Sequence, residues 1–203
     1  MSGISQKNNK GMTIKDMVTT GIFAALCFVL IMLGGAVFGV NPVLTFAVPI
    51  GSALLAGPVF LLLIAKVPKN GPLIITGIVT GAILFATGMH WTTDIGYILM
   101  GIVANYIAAA GGFKKIRLNI IAYMVFSLAG VGPYATFFLA RDTFMSYMIK
   151  KGTEQDYLDT MTNTGQMWML PAIIIGTLLV AFISGLIGKW LLNKQFEKAG
   201  ITV

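Results

Sequence analysis

The sequence predicts an all-α membrane protein: six transmembrane helices in one bundle, with N- and C-termini cytoplasmic. Three observations carry that prediction. The 203 residues are 57% hydrophobic and only 10% charged, with a mean hydropathy of +0.86, which leaves too little polar surface to wrap a soluble core. The apolar residues fall into six long runs separated by short breaks rich in Gly, Pro, Asn and Lys. The basic residues sit in those breaks instead of forming one patch, so the formal charge of +7 speaks of topology and not of nucleic-acid binding.

Residues 1–12 are polar, with Lys7 and Lys10 in a Ser, Gln and Asn background, and are expected to be a flexible cytoplasmic N-terminus. Residues 13–203 form a single transmembrane domain. The first run, about Met17 to Val40, is too long for the apolar stretch of a signal peptide and reads as a span. Thr13 and Asp16 suit its first turn. Gly21 and Ala25 stand four apart with Thr20 and Ala24 alongside, a small-residue face that another helix can approach, although Gly/Ala-rich spans also produce this pattern by chance. Gly34, Gly35 and Gly39 are expected to loosen the end, and Asn41-Pro42 to close it.

The second run, about Val43 to Ala65, contains Pro49 and Gly57-Pro58, which invite a bend. It stops in a basic turn, Lys66 to Pro72. The third, about Leu73 to Met89, carries Gly77 and Gly81, spaced for close helix packing. A polar break, Gly88-Met89-His90-Trp91-Thr92-Thr93-Asp94, holds the only histidine of the chain. The fourth run, about Ile95 to Phe113, ends at Gly111-Gly112 and Lys114-Lys115-Ile116-Arg117; the fifth, about Leu118 to Ala140, follows at once. Residues 141–165 are the one long polar segment, whose Met and Tyr spacing suits an amphipathic helix lying over the membrane surface. The sixth run, about Met167 to Leu192, is flanked by Trp168, Lys189, Trp190 and Lys194, which are interfacial anchors by type.

With the N-terminus inside, eleven of the fourteen basic residues fall in cytoplasmic segments, and only Arg141, Lys150 and Lys151 lie outside. That asymmetry sets the orientation. Cys27, the lone cysteine, can form no intrachain disulfide and reads as a buried packing residue. No ionisable residue stands at the centre of a span, which disfavours a proton- or ion-coupled carrier. One histidine and no carboxylate expected on a helix argue against catalysis, and no phosphate-cradling GxxxxGK[ST] is present.

What remains is a bundle with a polar, aromatic mouth on the outside. Its members are Asn41, Met89, His90, Trp91, Asp94, Tyr97, Tyr134, Arg141 and Trp168. Such a mouth suits capture of a small amphipathic molecule by stacking and a few polar contacts; each aromatic taken singly also reads as an interfacial anchor.

Several stretches together resemble one family. They are Thr13 to Ala25, Ala65-Lys-Val-Pro-Lys69, Thr87-Gly-Met-His-Trp91, Gly132-Pro-Tyr134 leading to Arg141-Asp142, Trp168-Met-Leu-Pro171, and Phe196 to Gly200. Over nearly its full length the chain resembles the membrane-embedded S components of energy-coupling factor (ECF) transporters, within them the Trep_Strep or MptA-like group. The resemblance implies a subunit that binds a vitamin, cofactor or metal outside and works with a T protein and two ATPases. It also implies that Gly21, Ala24 and Ala25 dock the T protein, although the family's usual Ala-xxx-Ala is Gly-xxx-Ala here. No intrinsic cofactor is expected. Relatives of this group are linked to haem uptake, and haem as the transported substrate would use His90 as an axial iron ligand, Met89 or another outer methionine as a second, aromatic residues against the porphyrin face, and Arg141, Lys150 or Lys151 on its propionates. Another vitamin-like ligand, with His90 a hydrogen-bonding or solvated turn residue, stays open, as does a structural or assembly subunit with no small ligand.

Overall fold

The computed structural model describes residues 11–198, and of residues 195–198 the backbone alone. The expectations for residues 1–10 and for the far C-terminal tail lie outside the described residues. Within them the chain is helical, with no strand: α1 (Ile14–Gly39), α2 (Val48–Lys66), α3 (Pro72–Ala86), α4 (Trp91–Ala110), α5 (Ile116–Ser127), α6 (Gly132–Leu139), α7 (Arg141–Lys150), α8 (Gln155–Thr164) and α9 (Met169–Lys198). Short 3-10 turns, Leu44–Ala47 and Leu128–Val131, lead into α2 and α6. The long helices close a ring in the order α1, α2, α9, α5, α4, α3 and back to α1, with α2 also touching α5 across it.

Local chemistry sets the helix ends. Thr13 caps α1 in a reciprocal box: its Oγ1 accepts from Asp16 N–H at 3.2 Å while the Asp16 carboxylate accepts from Thr13 N–H at 2.7 Å, an arrangement worth about 1 kcal/mol. Lys69 Nζ reaches the same carboxylate at 2.7 Å, tying the start of α1 to the α2–α3 turn. Pro49 sits in the first turn of α2, where its missing N–H costs nothing, so it opens that helix. Only Pro58 lies inside it.

Five helical stretches are long and apolar enough to cross a membrane: Ile14–Gly39, Leu44–Lys66, Trp91–Ala110, Ile116–Leu139 and Met169–Lys194. The third expected span is shorter than its apolar run. α3 has 15 residues and covers roughly 22 Å at about 1.5 Å per residue, against ~30 Å of hydrocarbon. Gly88 ends it. With φ +87°, it lets Met89 N–H return to Leu84 O at 3.2 Å and its own N–H to Phe85 O at 3.1 Å, which closes the last turn in a Schellman motif. The fourth span starts earlier than expected, at Trp91, because His90 caps it. The fifth is not continuous: α5 gives way to the 3-10 turn before Gly132-Pro133 restarts the helix as α6.

Backbones meet at the expected small residues. A Cβ on Gly81 would stand 2.8 Å from Asp94 O, and one on Gly101 2.9 Å from Leu73 O, so α3 and α4 pack at near-backbone distance. Gly34 and Gly35 do not loosen α1. They are buried against Gly51 and Ser52 where α1 crosses α2, and α1 stays helical to Gly39.

The polar segment 141–165 forms two helices, not one. Gly152, at φ +88°, closes α7 in a second Schellman turn, with Thr153 N–H on Met148 O at 3.0 Å. α7 and α8 bury Phe144, Leu158 and Met161 against Phe46, Phe137 and Phe138, so they lie across one end of the bundle. At the opposite end stand Lys66, Lys69, Lys114, Lys115 and Arg117, in or beside the α2–α3 and α4–α5 turns.

Candidate functional site

Beneath α7 and α8 the bundle encloses a cavity of about 390 Å³, near the low end of the roughly 300–1,000 Å³ typical of small-molecule sites. α1 contributes Met32, Gly35 and Ala36, the start of α2 Val48, Pro49 and Ser52, and the broken fifth span Gly130, Pro133 and Tyr134. The α3–α4 turn brings Met89, His90 and Thr93, and α7 and α8 form the cover with Phe144, Met148, Tyr157, Leu158 and Met161. No Asp, Glu, Lys or Arg is in the lining. Ala36 and Met89 are exposed and Thr153 partly so, which marks the side on which the cavity opens.

The break in the fifth span builds one wall. A Cβ on Gly96 would stand 2.8 Å from Ala129 O, and one on Gly132 2.8 Å from Thr92 O, so the 3-10 turn presses against the first turns of α4. Tyr134 then donates from its hydroxyl to Thr45 O at 2.6 Å, and Ser52 Oγ donates to Ile31 O at 3.0 Å. These hydroxyls are already satisfied by protein. Two tyrosines tie the cover down: Tyr157 donates to Gly39 O at 2.8 Å, and Tyr147 to Met89 O at 3.3 Å. Burial pushes the Tyr157 hydroxyl above its ordinary pKa, so it stays a donor.

His90 is 2% exposed, and so is a lining residue and not a solvated turn. Its Nδ1 accepts from Thr92 N–H at 3.3 Å and lies 2.7 Å from Thr92 Oγ1, which makes the ring the N-cap of α4. The ring stacks on Phe144 with centroids 5.3 Å apart and meets the edge of Tyr147 at 4.6 Å. Its Nε2 is buried with no hydrogen-bond partner, as is Thr93 Oγ1. Burial also pushes the imidazole below its ordinary pKa, because the charged form loses its hydration.

Of the nine mouth residues expected from sequence, Met89, His90, Tyr97 and Tyr134 line the cavity. The rest do not. Trp91 faces a separate surface groove with Asp142 and Lys150 of α7. Asp94 is a correction: it stands in the first turn of α4 and is buried, with both carboxylate oxygens lacking a hydrogen-bond partner among the described residues. A helix-borne carboxylate is therefore present after all. Asn41 spends its side chain on the N–H groups of Val43 and Leu44, at 2.8 and 3.2 Å. Arg141 lies over the Phe137 ring at 4.8 Å, and the exposed Trp168 donates to Gln166 Oε1 at 2.6 Å. Lys151 sits over Phe85 and Tyr147.

On the outside of α1, Gly21 and Ala25 are exposed, and a Cβ on Gly21 would meet nothing within 4 Å. Ala24 is 0% exposed and packs inward, because it falls on the buried stripe with Thr20, Cys27 and Ile31; it is not part of an outward face. Sequence reasoning missed Ser52, Thr93, Tyr157 and the small residues at the end of α1. Thr93 lay inside the polar break, and Tyr157 among the aromatic residues of the long polar segment.

Among the described residues no cluster of three or more His, Cys, Asp or Glu is placed to hold a metal ion. No curated protein and no solved structure matches the chain. One family model does, over residues 14–198, described as a hypothetical bacterial integral membrane protein (Trep_Strep). That match takes in every helix from α1 to α9 and agrees with the five apolar stretches long enough to span a bilayer, so the chain is an integral membrane protein and belongs to the Trep_Strep family.

Proposed function

We propose that this protein is the substrate-capturing S component of an ATP-driven ECF importer, working with a T protein and two ATPases in the bacterial cell membrane. It crosses the membrane six times, the short third crossing made by α3 as far as Met89, and both termini face the cytoplasm. The observation that carries the reading is the cavity of about 390 Å³ beneath α7 and α8, at the end of the bundle away from the lysine-rich turns. The charge asymmetry makes that end the outer one. The chain itself is no enzyme in this reading: ATP is hydrolysed on its partners. The exposed Gly21 and Ala25 are the surface offered to the T protein.

The ligand is a small organic micronutrient without net charge. A charged one would be stripped of water with no opposite charge in the lining, a cost of several kcal/mol. Haem fits that lining less well, since neither Arg nor Lys is there for its propionates and Nδ1 of His90 already accepts from α4. Affinity capture from native membranes followed by mass spectrometry tests the transporter reading. A T protein and two ATPases should elute with the wild type and be lost from Ala25→Trp. Their absence from the wild-type eluate would leave a structural or assembly subunit. A coordinated-haem Soret band that disappears in His90→Ala would restore haem as the substrate.

A further inference from the structure

Part of the polar wall of the cavity is already spent. Tyr134, Ser52 and Tyr157 donate to main-chain carbonyls of the protein itself. Two lining side chains carry a buried polar atom without a partner, at the start of α4: Nε2 of the N-cap His90 and Oγ1 of Thr93 in the first turn. They are 2% and 7% exposed, so water does not satisfy them from bulk. An unmade hydrogen bond there is costly, and two such groups three residues apart in the chain form a single polar pole in an apolar chamber.

The cap fixes what that pole can do. Nδ1 of His90 faces Thr92 N–H at 3.3 Å and Thr92 Oγ1 at 2.7 Å. The main-chain N–H can only donate, so Nδ1 is assigned as the acceptor, the Thr92 hydroxyl can donate to it as well, and the neutral ring then carries its proton on Nε2. Nε2–H is a donor with no lone pair to offer a metal. Thr93 Oγ1 can accept as well as donate. Phe144 and Tyr147 hold the ring in place, so the donor direction is set before a ligand arrives.

Resting on the reading of this cavity as the ligand site of an importer subunit, we propose that His90 and Thr93 form a polar clamp for an uncharged cyclic amide. The ring carbonyl accepts from His90 Nε2–H, and the adjacent ring N–H donates to Thr93 Oγ1. The planar body of the ligand lies among Pro49, Met148 and Leu158. A carboxylate is rejected because its charge would lose its water in a lining that holds no Lys or Arg to offset it.

His90 is the only histidine, so in protein purified through a histidine-free tag every imidazole ¹⁵N signal belongs to it. At neutral pH the spectrum should be that of the Nε2–H tautomer; an Nδ1–H tautomer or an imidazolium would overturn the proposal. The probes are 2-quinolone, a neutral bicyclic amide, and 2-naphthoate, its carboxylate counterpart in size. 2-Quinolone should shift the Nε2 signal, and 2-naphthoate should not. A response to the carboxylate alone, or to neither probe, would overturn it too. Thr93→Val, which keeps the side-chain shape, should weaken 2-quinolone binding roughly five- to ten-fold while leaving the free His90 spectrum unchanged; equal affinity would refute the role of Thr93. These readouts do not depend on partner proteins, so the clamp can fail while capture of the T protein and ATPases succeeds, and the reverse.

Discussion

Removing one hydroxyl, in Tyr157→Phe, should loosen the cover of the cavity without unfolding the bundle. The Tyr157 ring packs against the aromatic cluster under α7 and α8, and phenylalanine keeps that packing. What is lost is the bond from the hydroxyl to Gly39 O, 2.8 Å long and joining α8 to the end of α1 across 118 residues of chain. A bond of this kind contributes about 0.5–1.5 kcal/mol net. Gly39 is only partly buried, so water replaces some of it, and about 1 kcal/mol is the expected loss, roughly a five-fold rise in the open population at ~1.4 kcal/mol per factor of ten. Hydrogen exchange on protein in lipid nanodiscs reads this directly, as faster exchange over residues 141–165 with α2 and α5 unchanged. Tyr147→Phe is the internal comparison. Its bond to Met89 O is longer, 3.3 Å, and exposed, so its effect should be at most about two-fold. Unchanged exchange in Tyr157→Phe, or a larger effect from Tyr147→Phe, would refute the reasoning that these bonds hold the cover.

Three further outcomes are expected. The pKa of His90 is lowered by burial, so as pH falls the unfolded chain takes up the proton first: the contribution of the neutral ring is intact above about 6.5 and is lost below it. Melting at pH 7.5 and 5.5 should show a drop that His90→Asn, a neutral N-cap, reduces; an equal drop in both would deny His90 the effect. Gly101→Val should cost about 1–3 kcal/mol, since its Cβ would meet Leu73 O at 2.9 Å, whereas Gly21→Ala, with open space around it, should be neutral in the isolated protein; denaturant unfolding in detergent distinguishes them. A cysteine at Asn163 should be labelled by an impermeant reagent on intact cells and one at Asn70 should not, both positions being exposed and Cys27 buried; reversed labelling would place the cavity on the cytoplasmic side.

The membrane class and the helix order were legible in the sequence because hydropathy acts over whole spans and a bilayer requires long apolar helices. The close crossing of α3 and α4 was legible in Gly77 and Gly81, since only small residues let backbones meet. Helix ends were harder. Gly88 and Gly152 decide where α3 and α7 stop through a left-handed backbone, and hydropathy carries no trace of that. Likewise the apolar run of the fifth span hid its break, which depends on Gly132-Pro133 and on contact with α4. For the site, proximity to the polar break found Met89 and His90, but a mouth drawn from chain breaks cannot separate Asn41, which caps its own turn, from Thr93, which faces the cavity. Ala24 shows the same limit: on one helix, neighbouring small residues point to opposite sides.

The claim that a small molecule is captured beneath α7 and α8 is tested most directly by extracting and identifying the small molecules that co-purify with the protein from native membranes, in the wild type and in Ala36→Trp. Ala36 lines the cavity yet is exposed, so the indole fills the opening without overpacking the core. The wild type should carry an uncharged organic compound that Ala36→Trp lacks, with the two proteins melting alike; the same compounds in the same amounts from both would contradict the claim.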